Sequence, residues 1–245
     1  MARRYAKQAL ELTPAEPRAH AVLGGVAALY EHDWNKAGER FQLALAVEQV
    51  PPEVRFRYAV MYLVPLGRVR EALDQIASAV EQDPLNVVFR GFFALVLGSQ
   101  SPDRAAVEGR KAIEIDERHW LPHYAMSMLH FHRGELPEAL QFAERGVRAT
   151  AYVPLLAGLL AGLLRRLGEK DRADELLSKL RAPSSMFVYY MVSSEIDAAA
   201  DSFAKAIAQG EVQPLMWFAA SDFLNPLRSS PHWPALAKMM NLPRE

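Results

Sequence analysis

Pairs of mostly small residues, seven positions apart, recur along the chain at a nearly constant step, and this repetition constrains the fold more than any other feature. The pairs are Ala2/Ala9, Ala37/Ala44, Ala72/Ala79, Ala105/Ala112, Ala139/Gly146, Ala173/Leu180 and Ala199/Ala206. Successive pairs are separated by 35, 35, 33, 34, 34 and 26 residues. Residues seven apart lie on one face of an α-helix, and small side chains there let a second helix approach closely. The pattern therefore predicts one helix per pair, in close contact with neighbouring helices.

Each repeat is predicted to contain two helices. A turn signal with glycine precedes three of the pairs, in residues 66–72, 133–139 and 167–173. Proline, which ends helices, follows four of the pairs, at Pro14, Pro51, Pro84 and Pro183. Each unit is thus a helix A, a short turn, a helix B and a proline-containing loop. Since one such hairpin cannot bury its own apolar face, we expect the hairpins to stack into a helical solenoid.

The 34-residue step, the small residues, the glycine turn and the proline resemble the tetratricopeptide repeat (TPR). Residues 19–45, 71–84 and 134–143 are the most typical stretches. The resemblance implies an all-α, right-handed superhelical solenoid of about six helix hairpins with a C-terminal cap. In more detail, three stretches are similar to the C-terminal TPR regions of bacterial multidomain signalling proteins of the serine/threonine kinase, adenylate cyclase or winged-helix regulator type. These stretches are residues 31–45, 62–73 and 223–243.

The repeats are predicted to cover residues 1–209 and the cap residues 210–245, with Trp217 and Trp233 covering the end of the last helix pair. The step from Ala173 to Ala199 is short, so the helix A near residues 186–192 is expected to be stunted. Residues 2–12 have the register of a helix B with no helix A before them. We therefore expect the chain to be a piece of a longer protein.

Composition and motifs exclude several classes of function. The net charge of −1 argues against nucleic acid as a partner, and the absence of cysteine excludes a disulfide scaffold, a thiol nucleophile and a cysteine-ligated metal or cluster. No G-x-S-x-G, G-x-x-x-x-G-K-[ST] or G-x-G-x-x-G motif occurs. We expect this segment to be no enzyme and to hold no cofactor, although the parent chain could carry a kinase or cyclase domain elsewhere.

Two stretches invite other readings. Four histidines, His119, His123, His130 and His132, lie close together in the sequence, and imidazole is a good metal ligand. The repeat register instead places His123 and His130 at helix-packing positions, and Pro122 predicts a helix that begins after His119. The apolar stretch of residues 153–164 is too short to cross a membrane, so it predicts a buried helix and no membrane insertion.

The resemblance implies that helix A lines a concave groove that binds a protein or peptide. Projected onto this sequence, the groove positions are Val26, Tyr30, Arg57, Met61, Tyr124, Met128, His132, Arg165 and Arg166. The predicted function is a non-catalytic protein-interaction scaffold in the regulatory part of a signalling protein. The alternative is a sensor that binds a small molecule or modified peptide on the fourth and fifth repeats. A homodimer through the first helix is also possible, and we expect a cytoplasmic location, or a periplasmic one if the parent has a membrane anchor.

Overall fold

The computed structural model describes residues 1–150, 152–211 and 222–243. Within these ranges the chain forms fifteen α-helices and no β-strand, which confirms the predicted all-α class. The helices are α1 (Ala2–Leu12), α2 (Pro17–Leu29), α3 (Trp34–Leu45), α4 (Pro52–Tyr58), α5 (Val69–Gln82), α6 (Val87–Leu97), α7 (Pro102–Ile115), α8 (Trp120–His132), α9 (Leu136–Ala149), α10 (Pro154–Arg166), α11 (Lys170–Leu177), α12 (Pro183–Val192), α13 (Ile196–Ala208), α14 (Asn225–Arg228) and α15 (Trp233–Met239). A π-helical turn (Ala59–Leu63) extends α4, and a 3₁₀ turn (Asp222–Leu224) precedes α14.

The helices alternate between type A and type B in the predicted register. The even-numbered helices from α2 to α12 are helices A, and the odd-numbered ones from α1 to α13 are helices B. Six of the seven residue pairs that defined the repeat are buried. The exception is the first pair, in which Ala2 is exposed and Ala9 is half-buried. The small residues therefore mark the contacts between helices in every repeat except the first.

Five of the six turns between a helix A and its helix B share one backbone conformation, the exception being the turn between α6 and α7. Gly67, Gly134 and Gly168 have φ angles of 72°, 75° and 84°, in the left-handed region that glycine adopts without strain. His32 and Ser194 occupy the same place in their turns, with φ angles of 51° and 64°. The three predicted glycine turns are confirmed, and two further turns use a residue with a side chain where glycine is favoured.

The described chain divides into two compact units. The first consists of residues 1–84 and 237–243, and the second of residues 85–211 and 222–236. The predicted cap from residue 210 is divided between the two units. Its described residues up to 236 belong to the second unit, and residues 237–243 belong to the first. Trp217 lies outside the described residues. The division into repeats and a cap stays a prediction.

The first unit is built around aromatic rings. Phe41 on α3 is fully buried, and a Cβ atom on Gly24 of α2 would lie 2.9 Å from its ring. Tyr58 and Tyr62 pack against the same ring, with centroid distances of 5.4 and 5.7 Å. The C-terminal segment also joins this unit, because the indole Nε1 of Trp34 donates a hydrogen bond to the carbonyl of Met240 at 2.9 Å.

The second unit is held by close helix contacts at glycine. A Cβ atom on Gly158 of α10 would lie 2.1 Å from the carbonyl oxygen of Ser185 on α12, so the two backbones touch there. A Cβ atom on Gly162 would lie 2.5 Å from Cβ of Val192. Further along, Phe187 of α12 packs on Phe203 of α13 with a centroid distance of 4.7 Å. The contacts at Gly158 and Gly162 require glycine, because a side chain there would force the helices apart.

The shortened repeat loses residues from both of its helices. Helix α12 has 10 residues where α10 has 13, which confirms the predicted stunting of helix A. Helix α11 has only 8 residues where α9 has 14, so most of the deletion falls in helix B, which was not predicted. Leu180 is buried at 5% exposure although it lies beyond the end of α11. The deletion therefore removes helix ends and keeps the packing position.

The apolar stretch of residues 153–164 forms most of α10, and each of residues 155–164 is buried. An α-helix that is apolar on all sides is stable only when neighbours cover it completely. Within the described ranges, no helix combines the length and apolar character that a membrane crossing requires.

Candidate protein-binding face

Helix α2 keeps one line of side chains open. Nine of its residues are buried, whereas Arg18, Val22 and Val26 are not, and Tyr30 directly after the helix is 60% exposed. These four residues follow one another at a spacing of four, so they lie on one face of the helix. We call them the α2 stripe. It combines apolar contact area with one cation and one phenol.

Helix α4 and its π-helical turn provide a second line. Glu53, Arg57 and Met61 are partly exposed and also lie four residues apart, and we call them the α4 stripe. The π-helical turn arises near Pro65, which has no N–H and whose ring clashes with the carbonyl four residues earlier. The amide of Val64 consequently bonds to the carbonyl of Ala59, five residues back, at 2.9 Å. The wider turn carries Met61.

Two contacts place the stripes side by side. The Nε of Arg18 donates to a carboxylate oxygen of Glu53 in an ion pair. Seven residues further along α2, a Cβ atom on Gly25 would lie 2.6 Å from Sδ of Met61, so glycine lets the methionine side chain lie against the helix. The two stripes together form a continuous surface, the first-unit face, with a salt bridge at one end and Tyr30 and Met61 towards the other.

The first-unit face carries one cation without a carboxylate partner. Arg18 and Glu53 neutralise each other, but Arg57 makes no salt bridge to any carboxylate that the structure describes. The charge of Arg57 is therefore available to a ligand. Its apolar neighbours reduce competition from water, and a guanidinium binds a carboxylate through two parallel hydrogen bonds.

Four of the nine predicted groove residues lie on this face: Val26, Tyr30, Arg57 and Met61. Two of the other predicted residues are not accessible in the structure. Tyr124 and Met128 are each only 4% exposed, inside a helix α8 in which all of residues 121–129 are buried. Tyr124 packs edge-on against Trp120 at a centroid distance of 5.9 Å, and its burial raises the pKa of its hydroxyl. The repeat register does not say what covers a residue.

The remaining three predicted residues lie in the second unit and have internal partners. Arg165 donates to the hydroxyl of Tyr189 at 3.1 Å and to Asp174 at 2.5 Å. The guanidinium of Arg166 lies 5.8 Å from the centre of the Phe131 ring and donates to the carbonyl of Val192 at 3.4 Å. These contacts join helices α10, α11 and α12, and they give both arginines a structural role.

His132 contacts two aromatic rings, those of Phe131 and Phe223, at centroid distances of 5.7 and 6.3 Å. Desolvation by these neighbours lowers the pKa of the His132 imidazole, and the charge of Asp222 acts in the opposite direction. The residue is exposed at the end of α8, but its ring is part of an aromatic cluster.

The other histidines of the predicted cluster are engaged separately. His119 caps α8 by accepting from the amide of Leu121, which confirms that the helix begins after it. The Nε2 of His123 donates to the carbonyl of Glu117 at 2.8 Å, and the ring of His130 stacks on Phe142 of α9 at 5.3 Å. Among the described residues, no three of His, Cys, Asp and Glu lie close enough to hold a metal ion.

One His–Asp pair invites comparison with a catalytic dyad. The Nε2 of His232 and a carboxylate oxygen of Asp197 are 2.8 Å apart, and Ser230 is two residues away in the sequence. The hydroxyl of Ser230, however, donates to the carbonyl of Leu227 at 2.7 Å, and the side chain of Asp197 is 94% exposed. A nucleophile would need its hydroxyl bonded to the histidine, and the acid would need to be shielded from water.

Sequence reasoning missed Arg18, Val22 and Glu53. The spacing could have found them, because Arg18 and Val22 precede Val26 by eight and four residues, and Glu53 precedes Arg57 by four. Pro65 is a weaker sequence signal for the π-helical turn. Burial of α10 also had a signal, since residues 155–164 contain no polar side chain.

The comparisons with known proteins establish the fold. No protein-family model matches the sequence, and no curated protein matches it. A tetratricopeptide repeat protein from Parabacteroides merdae is similar in structure, with a TM-score of 0.60 and 17% identity over 98% of this chain and 91% of that one. PilF of Pseudomonas aeruginosa is similar with a TM-score of 0.53 and 18% identity over 95% of this chain and 86% of that one. The chain has the TPR-like fold of a helical solenoid.

Proposed function

We propose that this chain is a non-catalytic protein-interaction scaffold that binds an extended peptide or a segment of a partner on the first-unit face. One observation carries the proposal. Two adjacent stripes of side chains, on α2 and on α4 with its π-helical turn, are left accessible at a regular spacing, and the middle residue of the α4 stripe is Arg57, which has no salt bridge among the described residues. The TPR-like fold supports the proposal at the level of architecture.

The composition of the face defines the partner. Val22, Val26 and Met61 offer apolar contact area, and methionine adapts its shape to different side chains. Tyr30 adds a large ring with a hydroxyl at its tip, a residue type enriched at protein interfaces. Arg57 favours a carboxylate. The partner segment is therefore apolar with one acidic residue, and binding involves no chemical step.

The wider setting of this scaffold is the regulatory part of a bacterial signalling protein, such as a serine/threonine kinase. The sequence resemblance of residues 31–45, 62–73 and 223–243 supports it. In such a protein the scaffold would recruit partners of the kinase, and the segment itself would catalyse nothing. The cytoplasmic location stays a prediction. Self-association through α1 also stays a prediction.

The sensor alternative needs an accessible surface on helices α8 and α10. Residues 121–129 and 155–164 are all buried, so these helices offer a ligand only their ends. No observation favours the sensor over the scaffold.

The test is a peptide array with two matched sets, in which apolar peptides carry either one glutamate or one lysine. We expect the glutamate set to bind, and Arg57→Glu to weaken its binding at least about tenfold, because a buried charge contact is replaced by repulsion. The same variant should bind the lysine set better than the original chain does. Arg110→Glu, at an exposed arginine of α7, is the matched control and should change neither set.

Tyr30→Ala tests the apolar part of the face. We expect it to weaken binding about tenfold, since tyrosine is a frequent anchor of protein interfaces. Tyr152→Ala is the control, because Tyr152 is 57% exposed and Tyr30 60%. Equal binding by both variants, or peptide binding that survives Arg57→Glu unchanged, would show that the face is not the binding site.

A further inference from the structure

The C-terminal ends of α8 and α10 form a small aromatic site in the second unit. The rings of Phe131 and His132 lie edge to face, with their centres 5.7 Å apart. The guanidinium of Arg166, at the end of α10, lies 5.8 Å from the centre of the Phe131 ring. We call these three residues the α8-end site. Because residues 121–129 and 155–164 are buried, the site lies where both helices emerge from the core.

The 3₁₀ turn of residues 222–224 occupies this site. The Phe223 ring lies edge-on to both rings of the site, with centroid distances of 6.0 Å to Phe131 and 6.3 Å to His132. Aromatic pairs prefer this edge-to-face arrangement. The carboxylate of Asp222 is close enough to His132 that its charge opposes the lowering of the histidine's pKa by burial. The turn thus presents an acidic residue followed directly by an aromatic one.

The contact has the composition of a protein interface. The Phe223 ring at its centre is only 8% exposed. The polar residues of the cluster, Asp222, His132 and Arg166, are exposed. Interfaces between proteins combine a buried aromatic centre with a polar, accessible rim in the same way. The turn therefore sits on the α8-end site as a ligand from another protein would.

The charges of the site favour an acidic ligand. Arg166 makes no salt bridge to any carboxylate that the structure describes, and it donates one hydrogen bond to the carbonyl of Val192. A guanidinium has five N–H donors, so others remain for a ligand. His132 becomes a second cation when it is protonated. A carboxylate beside the aromatic ring of the ligand is therefore the matching group.

The rest of the cap is held at a different place. Helix α14 packs on α13, and the Nε2 of His232 lies 2.8 Å from a carboxylate oxygen of Asp197 on α13. The contact of the turn with α8 is thus separate from the contacts that hold the cap on α13. The turn is the part of the cap that a competing ligand has to displace.

We propose that the α8-end site binds a segment of a partner protein in which an acidic residue directly precedes an aromatic one, and that Asp222 and Phe223 hold the site closed until this segment replaces them. The site belongs to the second unit and is distinct from the first-unit face, so the inference goes beyond the proposed function. A ligand within the same chain acts at an effective concentration on the order of millimolar. The partner segment consequently binds tightly only where it exceeds the turn in affinity.

The test uses the turn itself as a separate peptide. The probe is a fluorescent peptide with the sequence of residues 221–227, SDFLNPL. Fluorescence anisotropy measures its binding to the full chain and to the full chain with Phe223→Ala, in which the aromatic position is vacant. We expect the variant to bind the probe at least about tenfold more tightly than the original chain does, because the competing ring is gone.

Control peptides test the chemistry of the ligand. A peptide with alanine in place of Phe223 should show no saturable binding to the variant chain, since the ring is the buried anchor. A peptide with lysine in place of Asp222 should bind at least about fivefold more weakly than the probe, because it meets Arg166 with like charge.

Further substitutions in the chain with Phe223→Ala locate the contact. His132→Asn removes one ring of the α8-end site and should weaken the probe about tenfold. His119→Asn is the matched control at the other end of α8, where asparagine also caps the helix, and it should leave the affinity within about twofold.

A second variant keeps the test decisive if Phe223→Ala perturbs the fold. Asp222 is exposed, so Asp222→Lys leaves the chain folded while it weakens the hold of the turn on the site. The full chain with this one change should bind the probe at least about threefold more tightly than the original chain does.

Three outcomes would overturn the proposal. One is an absence of saturable probe binding by both variant chains. Another is a probe affinity that His132→Asn leaves unchanged. The last is sedimentation that shows a dimer of the original chain which Phe223→Ala converts to a monomer, because the turn of a second copy would then be the partner of the site.

Discussion

Helix α2 in the first unit and helix α10 in the second are matched in length, register and glycine content, yet only α2 keeps an accessible stripe. Both have 13 residues and both contain two glycines. In α10 the glycines face the backbone and the Val192 side chain of α12, and all of residues 155–164 are buried. In α2 they face two side chains, Phe41 and Met61. Gly158, which meets backbone, thus lies in a closed helix face, whereas Gly25, which meets the flexible Met61 side chain, lies beside an open one.

The largest expected difference between the two units concerns the polar contact between a helix A and its helix B. Arg90 and Glu108 form an ion pair whose side chains are only 12% and 10% exposed. Glu108→Ala should lower the free energy of unfolding by about 3 kcal/mol, because it leaves a largely buried guanidinium without its carboxylate. In the first unit, the equivalent contact between α4 and α5 joins Arg55 to the neutral amide of Gln75. Gln75→Ala should therefore lower the free energy of unfolding by only about 1 kcal/mol. Urea denaturation measures both, and equal losses would remove this contrast.

The glycines provide the next test. Gly158→Ala should destabilise by about 2–3 kcal/mol, because the added Cβ meets a backbone carbonyl and α12 must move. Gly25→Ala should be nearly neutral, because Met61 can turn aside and alanine improves helix propensity by about 1 kcal/mol. Thermal unfolding of the two variants checks the contrast. A destabilisation by Gly25→Ala as large as that by Gly158→Ala would contradict it.

A smaller effect is expected where the C-terminal segment joins the first unit. Trp34→Phe keeps the ring but removes the donor to the Met240 carbonyl, which should cost about 1–2 kcal/mol. Amide hydrogen exchange should locate the loss in α2 and α3, while the amides of α12 and α13 keep their protection. Faster exchange in α12 and α13 as well would show that the effect is not confined to the first unit.

The smallest effect concerns pH. Burial holds the pKa of His32 below its ordinary value near 6.5. Between that value and the lower pKa of the folded state, the unfolded chain binds more protons, so stability falls as pH drops below about 6.5. His32→Asn should reduce the difference in melting temperature between pH 7.5 and pH 5.5, because asparagine cannot titrate and tolerates a positive φ. Ser194→Asn, in the equivalent turn of the second unit, should leave that difference unchanged.

Much of the fold could be predicted from the sequence, because the small residues at helix contacts and the glycines in turns recur at a regular step. Six small-residue pairs are buried as expected, and the turns at Gly67, Gly134 and Gly168 have the expected conformation. The truncation of α11 could not be predicted, since a step of 26 residues does not say which helix is shortened.

The candidate site was only half predictable. Register gives the direction of a side chain on its own helix, and it placed Val26, Tyr30, Arg57 and Met61 on an open face. Accessibility also depends on what covers that face. Tyr124 and Met128 have the same register, but every residue around them in α8 is buried.

The shortened repeat has a consequence for recognising proteins of this kind. Ala199 and Ala206 are fully buried although they follow Ala173 at a step of 26 residues instead of about 34. A search template with a fixed repeat length no longer aligns with the repeats after this point, whereas the packing of the helices continues. In such arrays the interval between neighbouring modules can change by insertion or deletion at helix ends, provided that the seven-residue spacing inside each module is kept.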